Sequence, residues 1–296
     1  MYQFVLSALI FGRNGGAGAT GLIRALAEDY LSTFPKPQGS ITWVCNHSRN
    51  TQLALLHNYI DIALTYERTT ELIAGSEGWS EIFGCVFHDH FVLAGPASDP
   101  AGVMSCKSLG DGMRRIAQLG RGGTEGIFWY ARNDDSATMW KERSLWGMIG
   151  DGLEPWEDTK ACESWYQMSV YTPAEAIQKA DVAGAYSLTD RATLLKQAAL
   201  RTIERTTVYF EPSAADDVLM NSCFALHSPN KGGMRNEHVQ GFLEYVLSGR
   251  GQEVVRAFGE DSVGEPFFAT VEESFVRRRL RGGGPRKQRW AVDDGL

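Results

Sequence analysis

The chain has 296 residues, of which 43% are hydrophobic and 22% are charged, and its formal net charge is −7. This length suggests about two domains, and the composition argues against a disordered chain, a coiled coil or a disulfide mini-protein. The acidic balance argues against a nucleic-acid-binding protein, because phosphate contacts need a basic surface. It leaves anion binding at one local site open. No apolar run reaches the ~18 residues of a membrane-spanning helix, so we expect no membrane insertion.

The hydrophobic pattern alternates short strands with helices, which is typical of an α/β fold. The predicted strands cover residues 6–11, 41–44, 60–65, 83–94, 126–131, 186–188, 206–210 and 223–226. The predicted helices cover residues 22–31, 51–56, 111–119, 136–149, 237–247 and 251–258. The Gly-rich segment 12–21 predicts a turn. The apolar start, residues 1–12, has no Lys or Arg before its apolar run, so it indicates a first strand rather than a signal peptide.

Two further segments carry helix-start signals. In 172–175, a Thr, a Pro and a Glu stand where a capping box needs them, so a helix is predicted to begin there. In 189–191, Asp190 precedes a helical pattern, and we interpret it as a cap with a local ion pair. Five widely spaced cysteines neither require nor exclude disulfides. The tail 276–296 holds seven Lys or Arg and two Asp without periodicity, so a basic disordered tail is predicted.

Three polar loops, each between a predicted strand and a predicted helix, are candidates for anion binding. The first, 15–20 (GGAGAT), lets backbone N–H groups approach an anion at a helix N-terminus. The alternative is an ordinary tight turn. It lacks the lysine of a phosphate-binding P-loop, and no acidic residue follows where a dinucleotide site would need one.

The second loop, 132–138 (RNDDSAT), joins the forked donors of Arg132 to the hydroxyls of Ser136 and Thr138 beside a helix start. The alternative is helix capping by Asp135 or Ser136, with Arg132 paired to a nearby carboxylate. The third loop, 46–51 (NHSRNT), offers hydroxyl and amide donors and Arg49 as a cation, and its alternative is a solvated loop.

No catalytic constellation is visible. The six histidines are scattered, and neither GxSxG nor HExxH occurs. Residues 85–90 (CVFHDH) suggest zinc, but a strand would divide these side chains between two faces, and no further Cys/His pair lies close in sequence. We therefore predict no metal site and no cofactor.

Several longer blocks carry a family resemblance. They are GGAGATGLIRALAEDY (15–30), YIDIALTYE (59–67), HDHFVLAGPASDPAG (88–102), YARNDDSATMWKERSLW (130–146), AYSLTDRATLL (185–195) and LSGRGQEVVRAFG (247–259). Through these blocks, about residues 6–270, the sequence resembles the tungstate-binding members of the type II periplasmic binding protein family, most closely their fungal homologues. The resemblance implies two α/β lobes joined by two crossover strands, each lobe a mixed sheet flanked by helices. It places lobe one at 1–95 plus 206–275, lobe two at 96–205, and the tail at 276–296.

The resemblance also implies a function. The expected protein is a non-catalytic monomer that closes about a hinge on a tetrahedral oxyanion in the cleft between the lobes. The expected ion is tungstate or molybdate, and sulfate and phosphate are the further candidates. The implied ligand-binding residues are Asn14, Gly15, Gly16, Ala17, Ser48, Asn50, Thr51, Arg132, Ser136 and Thr138.

Other properties stay open at this point. The resemblance implies secretion, while the residues themselves leave a cytoplasmic location open, and no particular permease partner is implied. The alternatives are an enzyme, or an interaction protein on the same fold without oxyanion binding.

Overall fold

The computed structural model describes residues 6–13, 15–35, 39–150, 153–229, 234–274, 276, 279–280 and 292–293. The chain divides into two compact units. Unit one comprises residues 1–89 and 220–276, and unit two comprises residues 90–219 and 277–296. The chain thus passes between the units after 89 and after 219, whereas the resemblance placed these passages near 95 and 206. None of the helices in the described ranges is long and apolar enough to cross a membrane.

The strands are β1 (Leu6–Arg13), β2 (Gly39–Cys45), β3 (Ile62–Thr65), β4 (Glu81–Pro96), β5 (Trp129–Arg132), β6 (Tyr166–Ser169), β7 (Ser187–Asp190), β8 (Thr206–Phe210), β9 (Met220–His227), β10 (Arg279–Leu280) and β11 (Val292–Asp293). The helices are α1 (Gly15–Thr20), α2 (Leu22–Ser32), α3 (Ser48–Leu56), α4 (Arg68–Ser76), α5 (Leu109–Arg121), α6 (Ala137–Ile149), α7 (Thr159–Glu163), α8 (Pro173–Ala183), α9 (Arg191–Ala199), α10 (Met234–Leu247), α11 (Gly249–Ala257) and α12 (Glu260–Val263).

Unit one is built on parallel strands. β1 lies between β2 and β3 and runs parallel to both, and β9 continues the sheet antiparallel to β3. Arg13 is the register partner of Cys45, so the carboxyl ends of β1 and β2 meet at one edge of the sheet. α1 and α3 therefore begin at that edge. Since the chain leaves β1 on one side for β2 and returns on the other for β3, this edge is a topological switch point, where open α/β sheets bind ligands.

Unit two has a corresponding edge. The second half of β4 pairs antiparallel with β7 and β8, and β5 runs parallel to β6. Trp129 of β5 forms a parallel bridge with Tyr186, directly before β7. The carboxyl ends of β5, β6 and β7 consequently point the same way, and α6, α8 and α9 follow from them.

Most predicted elements are confirmed within a few residues, and β8 is confirmed at both ends. The capping box at Thr172 is confirmed. The turn predicted for 12–21 is wrong over its middle, because α1 occupies Gly15–Thr20 and only Gly21, at φ 109°, breaks the helical path before α2. The sequence did not predict α4, α7, α12 or β6. The predicted disordered tail lies outside the described residues except 276 and the short pair β10–β11.

The core of unit two encloses the carboxyl group of Glu142. Glu142 Oε1 accepts hydrogen bonds from Trp129 Nε1 at 2.8 Å, Trp146 Nε1 at 3.3 Å and the Tyr166 hydroxyl. Trp129 and Trp146 pack edge to face, with ring centroids 4.9 Å apart. Burial raises the pKa of Glu142 to about 7, although the three donors favour the ionised form.

The stability of unit two should therefore depend on the Glu142 proton. Because the folded pKa is raised from 4.5 to about 7, stability is greatest below 4.5, falls as the pH rises to 7 and is level above it. The shift corresponds to a fall of about 3 kcal/mol in the free energy of unfolding. Urea denaturation at pH 5 to 8 should show this fall, and Glu142→Gln should reduce it. Parallel pH curves for the two proteins would rule the effect out.

Two helical glycines of unit two offer a matched test of packing. A Cβ on Gly120 would lie 2.5 Å from Trp165 Cγ, whereas one on Gly147 would meet nothing within 4 Å. Gly120→Ala should destabilise the protein by about 1–3 kcal/mol through overpacking. Gly147→Ala should stabilise it by about 0.5–1 kcal/mol, because Gly is a poor helix former. Chemical denaturation of both variants checks the opposite signs, and effects of the same sign would contradict this packing.

Candidate functional site

The first predicted loop lies at the switch-point edge of unit one. Gly15 and Gly16 form the first turn of α1, where backbone N–H groups have no intrahelical partner, and Ala17 behind them is buried. Asn14 lies outside the described residues. The parallel pairing of β1 with β2 brings this turn near the start of α3, which carries the other predicted residues of the unit.

The three predicted residues of α3 differ in environment. Ser48 is fully buried, and its Oγ accepts a hydrogen bond from the Tyr66 amide at 3.2 Å, which ties the start of α3 to the end of β3. Thr51 is also fully buried, and its Oγ1 has no hydrogen-bond partner in the described part of the chain. Asn50 is exposed and donates from Nδ2 to Asn46 Oδ1 at 3.1 Å. Backbone amides are thus the main donors that this helix start offers.

Arg49, the cation of the same loop, forms an ion pair with a carboxylate. Its Nε and Nη2 contact Glu67 Oε1 at 3.0 and 2.9 Å, so one edge of the guanidinium fork is filled. Glu67 lies two residues after the end of β3 and is buried. The positive charge of Arg49, which the sequence suggested for anion binding, is therefore paired with a carboxylate of the same unit.

In unit two the predicted residues come together at the end of β5. Arg132 is 7% exposed. Its Nε donates to the Tyr171 carbonyl at 3.2 Å, and its Nη2 pairs with Asp134 Oδ2. Ser136 caps α6 by accepting a hydrogen bond from the Met139 amide at 3.3 Å. Both features of the alternative interpretation, Ser136 as the cap and Arg132 beside a carboxylate, are therefore present.

A small cavity lies behind Arg132. It measures about 10 Å³, room for about one water molecule, and Thr138, Ser187 and Asp190 also line it. Ser187 Oγ has no hydrogen-bond partner within the described ranges. Asp190 is buried and caps α9 by accepting a hydrogen bond from the Thr193 amide at 2.8 Å. Burial raises the pKa of its carboxyl, while the charge of Arg132 acts to lower it.

Sequence reasoning missed part of this arrangement. Asp134, the Tyr171 carbonyl and Ser187 were not singled out, although the double aspartate after Arg132 was a visible signal. Asp190 was predicted to cap a helix, which is confirmed. The ion pair of Arg191 is made with Glu211, with Nη1 and Oε2 3.2 Å apart.

The Cys-His segment of β4 forms a local cluster. Cys85 Sγ lies 3.7 Å from His88 Nε2, and His88 Nδ1 lies 2.7 Å from Ser222 Oγ. Burial raises the pKa of Cys85 to about 11 and lowers that of His88, so neither a thiolate nor an imidazolium is favoured. Within the residues that the structure describes, no three His, Cys, Asp or Glu side chains are grouped to hold a metal ion.

No family model matches the chain. A Haloferax volcanii protein, provisionally named as an ABC transporter anion-binding protein, is 31% identical over 135 residues, 46% of this chain and 35% of that protein. The tungstate-binding protein TupA of Peptoclostridium acidaminophilum is 25% identical over 217 residues, 70% of this chain and 67% of that protein. The chain therefore matches only about a third of the first relative and two thirds of the second.

Solved structures are similar over most of the chain. A periplasmic protein provisionally described as metal-binding superposes with a TM-score of 0.79 at 28% identity, covering 88% of this chain and 95% of that one. The tungstate-binding protein TupA of Desulfovibrio alaskensis G20 superposes with a TM-score of 0.69 at 21% identity, covering 89% and 98%. The chain thus has the two-lobed α/β fold of the type II periplasmic binding proteins.

Proposed function

We propose that the protein is a solute-binding protein that captures a tetrahedral oxyanion, with tungstate and molybdate as first candidates and sulfate and phosphate as further ones. The observation that carries the proposal is Arg132, a nearly buried guanidinium at the carboxyl end of β5, at the start of the loop that leads to α6. Relatives whose names refer to tungstate or anion binding support the ligand class.

The donors of unit two suit such an ion. Arginine carries five N–H groups in a fixed fork that matches oxyanion geometry, and Nη1 of Arg132 has no partner among the described residues. At the start of α6, Ser136 is the cap and Met139 is already bonded to it. Helix geometry leaves the amides of Ala137 and Thr138 for an outside acceptor, and the helix dipole favours a negative charge there.

Unit one, taken by itself, has a comparable set of donors in the backbone amides at the starts of α1 and α3. A hydrogen bond to a charged group contributes roughly 1.5–3 kcal/mol, so about six of them give roughly 9–18 kcal/mol gross. Association costs about 4–15 kcal/mol. A dissociation constant between micromolar and nanomolar is consistent with these magnitudes.

We propose that the protein binds its oxyanion without making or breaking covalent bonds. The relatives named above as tungstate-binding or anion-binding are likewise binding proteins. We propose that the protein acts outside the cytoplasm, as the word periplasmic in the description of one structural neighbour suggests. We also propose that it acts as a monomer and hands its ion to a transporter, a role supported by the name of the haloarchaeal relative.

A second candidate is a chain on the same fold that binds no oxyanion. The carboxylates beside both loop arginines favour it, because Glu67 offsets the charge of Arg49 and Asp134 offsets that of Arg132. A thermal-shift panel of tungstate, molybdate, sulfate and phosphate separates the two candidates. Stabilisation by one of these ions supports the first, and no shift with any of them supports the second.

Arg132→Ala should lower the affinity for the bound oxyanion at least tenfold, because it removes the only side-chain cation among the predicted ligand-binding residues. Titration calorimetry with sodium tungstate measures the change. Arg114→Ala is the matched control, since Arg114 is a partly exposed arginine of unit two that pairs with Asp111 at 3.0 Å. Equal affinities for the Arg132 variant and the unaltered protein would remove Arg132 from the site.

A further inference from the structure

One carboxylate joins the two groups on which the proposed function depends. Asp134 Oδ2 pairs with Arg132 Nη2, and Asp134 Oδ1 accepts a hydrogen bond from the Ser136 amide at 3.1 Å. The side chains of Arg132 and Asp134 are only 8% and 7% exposed. Asp134 therefore links the guanidinium directly to the N-terminus of α6.

The backbone fixes the same guanidinium from its other side. Arg132 is the register partner of Ser169 in β6, and the carbonyl that receives its Nε belongs to Tyr171, two residues further along. Of the five N–H groups of the fork, these contacts use one on Nε and one on Nη2. Among the described residues, Nη1 and the second hydrogen of Nη2 have no further acceptor and could serve an outside one.

The geometry of this pair differs from that of the arginine in unit one. Glu67 occupies the Nε–Nη2 edge of Arg49, with three contacts of 2.9 to 3.3 Å. In the contacts between described residues, Asp134 Oδ2 pairs with Arg132 Nη2, and Asp134 Oδ1 accepts a hydrogen bond from the Ser136 amide. Glu67 thus fills its arginine fork as a bound oxyanion would, whereas Asp134 leaves most of the fork of Arg132 open.

We propose that Asp134 is a positioning residue of the oxyanion site, which holds the Arg132 guanidinium beside the start of α6 so that both present donors to one ion. The inference rests on the proposed function, because it assigns a role at that site. A free arginine side chain samples many rotamers, and fixing it in one of them costs entropy. Holding the side chain in place before binding removes part of that cost from the binding step.

A repulsive effect acts in the opposite direction. The negative charge of Asp134 repels the incoming anion. If Asp134 served only to occupy the position of the ion on Arg132, removing its carboxylate would strengthen binding. Positioning and occupation therefore predict opposite signs for the same substitution, and the sign of the affinity change decides between them.

The adjacent aspartate supplies a matched control. Asp135 carries the same charge in the same loop, but it is exposed. Asp134→Ala should lower the affinity for tungstate about tenfold, whereas Asp135→Ala should change it by less than about twofold. Asp134→Asn keeps one acceptor oxygen and should fall between Asp134→Ala and the unaltered protein. Titration calorimetry gives the affinities, and the thermal midpoints without ligand show whether each variant is folded.

A double-mutant cycle tests whether Asp134 acts through Arg132. In the Arg132→Ala background, Asp134→Ala should cause no further loss of tungstate affinity, because the side chain that it positions is gone. Additive losses would overturn the inference, as would an affinity gain for Asp134→Ala or equal effects of the two aspartate variants. If the unaltered protein binds none of the four oxyanions, the proposed function fails and this inference with it. Each of the other contrary results overturns the inference about Asp134 but leaves the proposed function intact.

Discussion

Parallel strand pairing is the constraint on which the candidate site depends. In unit one it places the starts of α1 and α3 at the same edge as the carboxyl ends of β1 and β2. In unit two it places Arg132 at the end of β5 next to the end of β6, whose continuation supplies the Tyr171 carbonyl. In each unit the helix N-termini, whose first amides have no intrahelical partner, thus come together although they lie apart in the sequence.

The charge distribution of the chain explains why the site has to attract an anion at short range. The formal net charge of −7 combines a tail of +5 at 276–296 with −12 over the rest of the chain. An acidic body repels an anion at a distance, so attraction has to come from a guanidinium and helix ends shielded from solvent. The near burial of Arg132 meets this need, and Asp134 stabilises the buried charge while no ligand is bound.

The sequence predicted much of the fold because the elements near the site carry clear local signals. The hydrophobic face of α2, the capping box at Thr172 and the strand at 206–210 follow from periodicity and capping chemistry alone. The missed strand β6 has only four residues, three of them half-buried, and so it lacks a periodic signal. α1 was missed because glycines oppose helix formation in a sequence, while the sheet edge determines its path in the fold.

The site itself was predictable in outline only. The position of Arg132 between a strand and a helix could be inferred from the pattern, and so could the cap at Ser136. The contacts of Asp134 depend on which of two adjacent aspartates turns inward, and a sequence pattern does not distinguish them. The burial of Glu142 among two tryptophans and a tyrosine likewise depends on strands far apart in the chain.

A crystal structure of the protein grown with tungstate is the most direct test of the proposed oxyanion site. The anomalous signal of tungsten locates the ion independently of the protein coordinates. The proposal predicts one tungsten peak, placed so that the oxygens around it accept hydrogen bonds from the Arg132 guanidinium and from amides at the start of α6. A tungsten peak away from these groups, or none at saturating tungstate, would contradict it.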